Sequence, residues 1–143
     1  MQNYRSPIEK QDFHPDTWNY FQGRTVCVPG GSGFIGSHIV EHLLALQAFP
    51  IIPTRQSEPP FLSHLDGEIE VRRADLASLD QAREAIDGAS VVLNLAASVG
   101  GISYNSTHPA TVFHANMKTF LNVMDAVEHC GAERLLVTSS ACI

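Results

Sequence analysis

The stretch PGGSGFIGSH (29–38) constrains this chain more than any other. It lies between a short apolar run, TVCV (25–28), and a segment whose Ile39, Val40, Leu43, Leu44 and Leu46 recur at helical spacing. A buried strand must therefore turn into a helix across three regularly spaced glycines. In that setting Gly30 permits the tight turn, Gly33 lets the backbone approach a pyrophosphate, and Gly36 lets the helix lie close to the strand. The N–H groups of the helix start then face the anion. A merely structural turn is the competing reading, and the strand–loop–helix context favours the nucleotide site.

The rest of the chain repeats this alternation. The helix is expected from about Ile35 to Gln47, followed by a strand FPIIPT (49–54), a proline-punctuated loop SEPPFLSH and a strand IEVRRA (69–74). Ser78-Leu79-Asp80-Gln81 reads as a capping box for a helix reaching about Asp87 and closed by Gly88. SVVLNLAA (90–97) is apolar enough for a strand covered on both faces. A glycine-rich polar loop is expected over 98–108, a long helix from Pro109 to Cys130 stopped by Gly131, and a strand RLLVTS (134–139). The fold class expected is α/β, a Rossmann-type doubly wound parallel sheet of order 3-2-1-4-5. Residues 1–23 read as an N-terminal extension whose Trp18, Tyr20 and Phe21 rest on the domain edge, and 24–143 as one domain that stops after its fifth strand.

Composition excludes several classes. The 143 residues are 44% hydrophobic and 17% charged, which describes a globular chain with a core. A net charge of −6 argues against nucleic-acid or anionic-membrane binding by bulk electrostatics. No run approaches a membrane span and the first residues lack the apolar heart of a signal peptide, so a cytoplasmic location is expected. Cys27, Cys130 and Cys142 form no metal-type pair and read as reduced thiols. The sequon Asn105-Ser106-Thr107 is accordingly expected to be unused.

With "GGSGFIGS" and "NLAA", the chain resembles the extended short-chain dehydrogenase/reductases of the nucleotide-sugar epimerase/dehydratase family. The resemblance implies an NAD(P) site at Gly30, Ser32, Gly33, Phe34, Ile35 and Gly36, with adenine contacts at Asp75 and Leu76. Leu95, Ala96 and Ala97 end the fourth strand and leave room for the cofactor to cross the sheet edge; they serve equally well as ordinary core and turn residues. Pro29 stands where the family usually has Thr. At the end of the second strand an acidic residue would accept the ribose hydroxyls of NAD, but this chain has Thr54 and Arg55. A guanidinium suits a 2′-phosphate, so NADP is expected, with NAD as the alternative through Glu58.

The segment VGGISYNSTHPATVFHANM (99–117) is similar to GDP-fucose synthases, and the ending SSACI to GDP-mannose 3,5-epimerases. The resemblance implies a GDP-sugar substrate, 3,5-epimerisation and reduction of a 4-keto group. Val99 would join the cofactor contacts, and Asn116 would be a polar anchor of the long helix near the site. Ser140 would hydrogen-bond the sugar oxygen undergoing redox change, and Cys142 would be the acid/base thiol; the plainer reading of Cys142 is a small buried hydrophobe. The resemblance implies pairing through helices that include this long one and another after the fifth strand, which leaves a homodimer open and the oligomeric state unread.

Two features resist this reading. HIVEH (38–42) fits the inverted zinc motif, but its helix already opens on the phosphate loop and no third ligand is apparent. His14, His64, His114 and His129 read as surface or packing residues. The family's Tyr-x-x-x-Lys pair has no counterpart, since Tyr4, Tyr20 and Tyr104 are followed four residues on by Ile8, Arg24 and His108. The expectation is a catalytically incomplete portion of a longer enzyme, with a stand-alone NAD(P)-binding module as the alternative.

Overall fold

A computed structural model describes residues 8–65 and 67–139. Ser140 and Cys142 lie outside the described residues.

Five strands form one parallel sheet: β1 (Thr25–Cys27), β2 (Phe49–Thr54), β3 (Glu70–Arg73), β4 (Val91–Asn94) and β5 (Arg134–Val137). Their order is β3-β2-β1-β4-β5, as the sequence pattern predicts. Register runs Val26 opposite Pro50 and Val91, and Thr54 opposite Arg73, so the C-terminal ends of all five strands face one side. Among the described residues five α-helices accompany them: α1 (Pro15–Phe21), α2 (Phe34–Ala45), α3 (Leu79–Ile86), α4 (Gly101–Thr107) and α5 (Pro109–Cys130). Among the described residues no helix is long and apolar enough to cross a membrane.

Side-chain alternation on the strands splits the core into two layers. Cys27, Ile51 and Val92 point toward α3 and α5, where they meet Ala82, Ile86, Val123 and Ala126. Val26, Val28, Ile52 and Val91 point the other way, toward Val40 and Leu43 of α2. Alanines at the α3–α5 contact allow close approach of helix to sheet. Arg72 donates to the carbonyls of Glu84, Ala85 and Asp87 at 3.2, 3.2 and 2.7 Å, satisfying oxygens that the end of α3 leaves unpaired.

The aromatics before β1 do rest on the domain, and they do so from a helix that their spacing did not announce. Trp18 of α1 is buried, while Tyr20 and Phe21 join the α2-side layer. The Tyr20 ring has the Arg24 guanidinium 4.5 Å away and that of Arg134 5.1 Å away, and Arg24 pairs with Glu133 at 2.7 Å. These contacts fasten α1 across the N-terminal ends of the strands, opposite to the end that carries the glycine loop.

Two expectations need correction. The Ser78 side chain makes no cap bond, and Gln81 Oε1 instead accepts from the Asp75 N–H at 2.8 Å. The segment 98–108 is not a plain loop, because α4 occupies most of it. This helix has no buried residue and so no apolar periodicity to read. Side-chain-to-backbone bonds run within it, Ser106 Oγ donating to Ile102 O at 2.8 Å and Thr107 Oγ1 to Ser103 O at 2.9 Å, and such back-bonds slightly weaken a helix rather than hold it. Helix α5 ends as predicted at Gly131, whose φ is 70°.

Candidate dinucleotide site

Between β1 and β4 the direction of strand succession reverses, and loops leaving the two C-terminal ends must part. A cleft of about 420 Å³ opens there. Glycine geometry shapes its floor. Gly30 has φ +82°, a conformation that side chains other than glycine's rarely tolerate, and a Cβ there would stand 2.7 Å from the Leu95 carbonyl carbon. That closeness is needed because Leu95 N–H donates to the Pro29 carbonyl at 2.8 Å, tying the end of β4 to the glycine loop. Proline at 29 thus keeps the acceptor that this link uses.

Gly36 meets a different demand. A Cβ on it would collide with the Gly30 carbonyl oxygen and lie 2.6 Å from the Gly31 Cα, so the first turn of α2 sits directly on the loop. Gly33, the N-cap of α2, has φ −86° and a hypothetical Cβ only as near as 3.3 Å to Gly30 O. Protein packing therefore requires glycine far less at 33 than at 36. The first-turn amides of α2 have no carbonyl four residues back within the helix and are available to an anion.

The far wall comes from β2 and β3. Thr54, a nearly buried polar side chain, has its Oγ1 3.3 Å from Ser32 Oγ and accepts the Gln56 N–H at 3.2 Å. Arg55 follows at the exposed mouth, and among the described residues no carboxylate pairs with it. Asp75 bends back on its own turn, its Oδ1 accepting from Ala77 N–H at 3.0 Å. Two side chains hold that turn in place: Gln81 through Asp75 N–H, and Asn122 Nδ2, which donates to Leu76 O at 2.9 Å.

Of the residues foreseen, Gly30, Ser32, Gly33, Thr54, Arg55, Asp75, Leu76, Leu95, Ala96 and Ala97 line this one cleft. Gly36 lies beneath it, while Phe34, Ile35 and Val99 are exposed and outside the lining. Asn116 works at its rim: Oδ1 accepts from Ser98 N–H at 2.6 Å and Nδ2 donates to Ser98 O at 3.1 Å. Sequence reasoning missed Gly31, where a Cβ would lie 2.8 Å from Val28 O, and also Gln56, Ser98, Ala115 and Thr119. The glycine doublet signalled the first. Ala115 and Thr119 needed knowledge of which face of α5 meets the cleft.

The HIVEH histidines are otherwise engaged. His42 Nδ1 lies 2.6 Å from the His38 carbonyl, and Glu41 reaches His64 Nε2 at 3.0 Å. Among the described residues no group of three or more His, Cys, Asp or Glu side chains is placed to hold a metal. Burial pushes the Cys27 thiol up to about 12, so this cysteine is an inert core residue.

Comparison with known proteins agrees with this geometry. The chain is 36% identical over 123 residues to a probable GDP-L-fucose synthase of Oryza sativa subsp. japonica, covering 85% of this chain and 34% of the relative. It is 27% identical over 139 residues to GDP-mannose 3,5-epimerase 1 of the same plant, covering 95% and 34%. The chain thus spans about a third of the length of these curated relatives. A structure of MoeE5 in complex with UDP-glucose and NAD superposes with a TM-score of 0.68 at 30% identity, over 82% of this chain and 36% of that one. An epimerase from Methanothermobacter thermautotrophicus shares the fold at a TM-score of 0.77 and 24% identity, over 90% and 40%. The family model described as "NAD dependent epimerase/dehydratase family" matches residues 26–143. The strand order, the glycine loop seated under the first turn of α2, and this match over most of the chain place the protein in the NAD-dependent epimerase/dehydratase family.

Proposed function

We propose that this chain supplies the NADP-binding half of a GDP-sugar epimerase/reductase of the GDP-fucose synthase type, working in the cytoplasm. Supporting the substrate class are the similarity to the GDP-L-fucose synthase relative and the motif at 99–117. The observation that carries the cofactor choice is Arg55, a cation without a carboxylate partner among the described residues, beside the hydroxyls of Ser32 and Thr54. A 2′-phosphate would meet charge-assisted bonds there. The pyrophosphate would rest on the Gly33 end of α2, and the adenine against the turn of Asp75 and Leu76.

Once bound, the dinucleotide would supply hydride chemistry. Ser140 would hydrogen-bond the sugar oxygen, and Cys142 would shuttle the proton beside the ketone, a task suited to a thiol because its ordinary pKa lies close to working pH. Asn116 would fix the rim on which the reacting end lies. The 143 residues contain no Tyr-x-x-x-Lys, so this chain is expected to bind dinucleotide without turnover. A homodimer through α5 completes the proposal, because Phe113, Met117, Leu121 and Met124 form an exposed apolar stripe along that helix.

One observation favours a second reading. The similarity to GDP-mannose 3,5-epimerase leaves only a few residues of the chain unmatched, so it takes in most of the stretch before β1. That reading carries NAD in place of NADP. Calorimetric titration separates the two: the proposal expects NADPH to bind more tightly than NADH, and Arg55→Ala to weaken NADPH alone, by roughly tenfold, the loss of a charged hydrogen bond. Equal affinities left unchanged by the substitution would refute the NADP assignment.

A further inference from the structure

Helix α4 begins three residues beyond Ser98, on the rim of the cleft, and differs from the neighbouring α3 and α5 in having no buried residue. Val99 and Ile102 are 77% and 89% exposed, the two most exposed large hydrophobics among the described residues. Seven residues are too few for a helix to persist on its own hydrogen bonds. Its fastenings lie at its two ends. Before it, Asn116 grips Ser98 through both amide atoms, and Asn105 Oδ1 accepts from Gly100 N–H at 3.2 Å. At the other end the Tyr104 ring stacks on His108, centroids 4.4 Å apart and planes 15° from parallel.

Glycines make a joint between rim and helix. Gly101 has φ +78° with open space where a Cβ would be, so glycine serves only the backbone conformation there. At Gly100 a Cβ would collide with the Tyr104 ring, which lies against the bare backbone. A segment fastened at both ends, jointed at one of them and unburied between is of the low local stability from which moving elements are drawn.

We propose that α4 is a lid, hinged at Gly100 and Gly101, that closes over the nicotinamide end of a dinucleotide bound in the cleft. The inference rests on the dinucleotide reading above. With adenine at Asp75 and Leu76 and the pyrophosphate on the glycine loop, the remaining end of the molecule reaches Leu95 to Ser98, next to the joint. Closure would bury Val99 and Ile102 against the ligand and the rim, and would exclude water from the reacting carbon.

Amide hydrogen exchange on the 143-residue chain, with and without NADPH, tests this. In the free protein the α4 amides should exchange far faster than those of α5, and NADPH should slow both α4 and the Gly30–Ser37 loop at least tenfold. Protection of the glycine loop alone would overturn the lid and leave the dinucleotide reading standing. Protection of neither would overturn that reading and the lid with it. Free-state protection of α4 equal to that of α5 would also overturn the lid. As an independent check, Ile102→Asp should leave the urea midpoint unchanged yet weaken NADPH roughly tenfold, whereas Ile102→Val keeps wild-type affinity. Wild-type affinity in Ile102→Asp would sink the proposal.

Discussion

The two sides of the cleft are built to different standards. On the β1–β2 side the glycine loop is seated under α2 with no room for a methyl group at 30, 31 or 36, and β2 is buried along nearly its whole length. On the β4–β5 side, three of the four residues of β5 are exposed, Leu136 and Val137 included, and α4 and much of α5 present apolar side chains outward. A phosphate seat needs rigid, pre-placed amides, and packing supplies rigidity. The opposite wall is packed more loosely, and looser packing permits movement. One side of the cleft is fixed by its core and the other is not.

Substitutions at two glycines would break this contrast most sharply. Gly36→Ala forces α2 off the loop against backbone atoms that cannot yield, and should cost about 3 kcal/mol or more. Gly33→Ala meets only one tight contact and should cost about 1 kcal/mol or less while still abolishing dinucleotide binding, because its methyl group stands where phosphate approaches. Urea midpoints and a binding titration on the two variants check both halves. Equal destabilisation would show that the loop is merely a tight turn.

A smaller effect distinguishes the buried core from its margin by pH. Burial raises the folded-state pKa of Cys27 from an ordinary value near 9 to about 12. The folded protein therefore holds this proton more tightly than the unfolded chain does. The contribution is complete below pH 9 and is lost progressively as pH rises from 9 toward 12. Comparing urea midpoints of wild type and Cys27→Ala across that range should show the wild type falling more steeply. Cys130, the last residue of α5 and partly buried, has a thiol raised in the same direction by burial and should contribute less.

Smallest in stability, and aimed at the looser side, is Leu121→Glu. Leu121 lies on the exposed stripe of α5, so the substitution should move stability by no more than about 0.5 kcal/mol. Sedimentation velocity should nevertheless show a dimer in the wild type and a monomer in the variant. A wild-type monomer would remove the α5 interface from the account.

Legibility in the sequence follows the same division. Strand order, the glycine turn, the Thr54–Arg55 strand end and the stop at Gly131 were readable because each rests on local chemistry with a fixed period or a required residue. Helix α4 was unreadable, since a helix without a buried face leaves no periodic trace. The capping box failed for a related reason. Ser78 and Gln81 have the right spacing, but Gln81 is drawn away to the Asp75 turn, a tertiary contact that local spacing does not encode. Exposure of Phe34 and Ile35 likewise depends on how α2 is rotated over the sheet, and a loop motif does not state that rotation. Ser140 and Cys142, foreseen from resemblance, fall outside the described residues.

The central claim is that a dinucleotide lies across the C-terminal ends of the strands with its phosphates on the start of α2. Backbone amide chemical shifts followed during an NADPH titration test it most directly. The account predicts large, saturable shifts at Gly30 to Ser37, at Thr54 to Gln56 and at Asp75 to Ala77, with α1 and Trp18 unmoved at the opposite end of the sheet. Shifts confined to other surfaces, or none at concentrations of NADPH in the millimolar range, would contradict it.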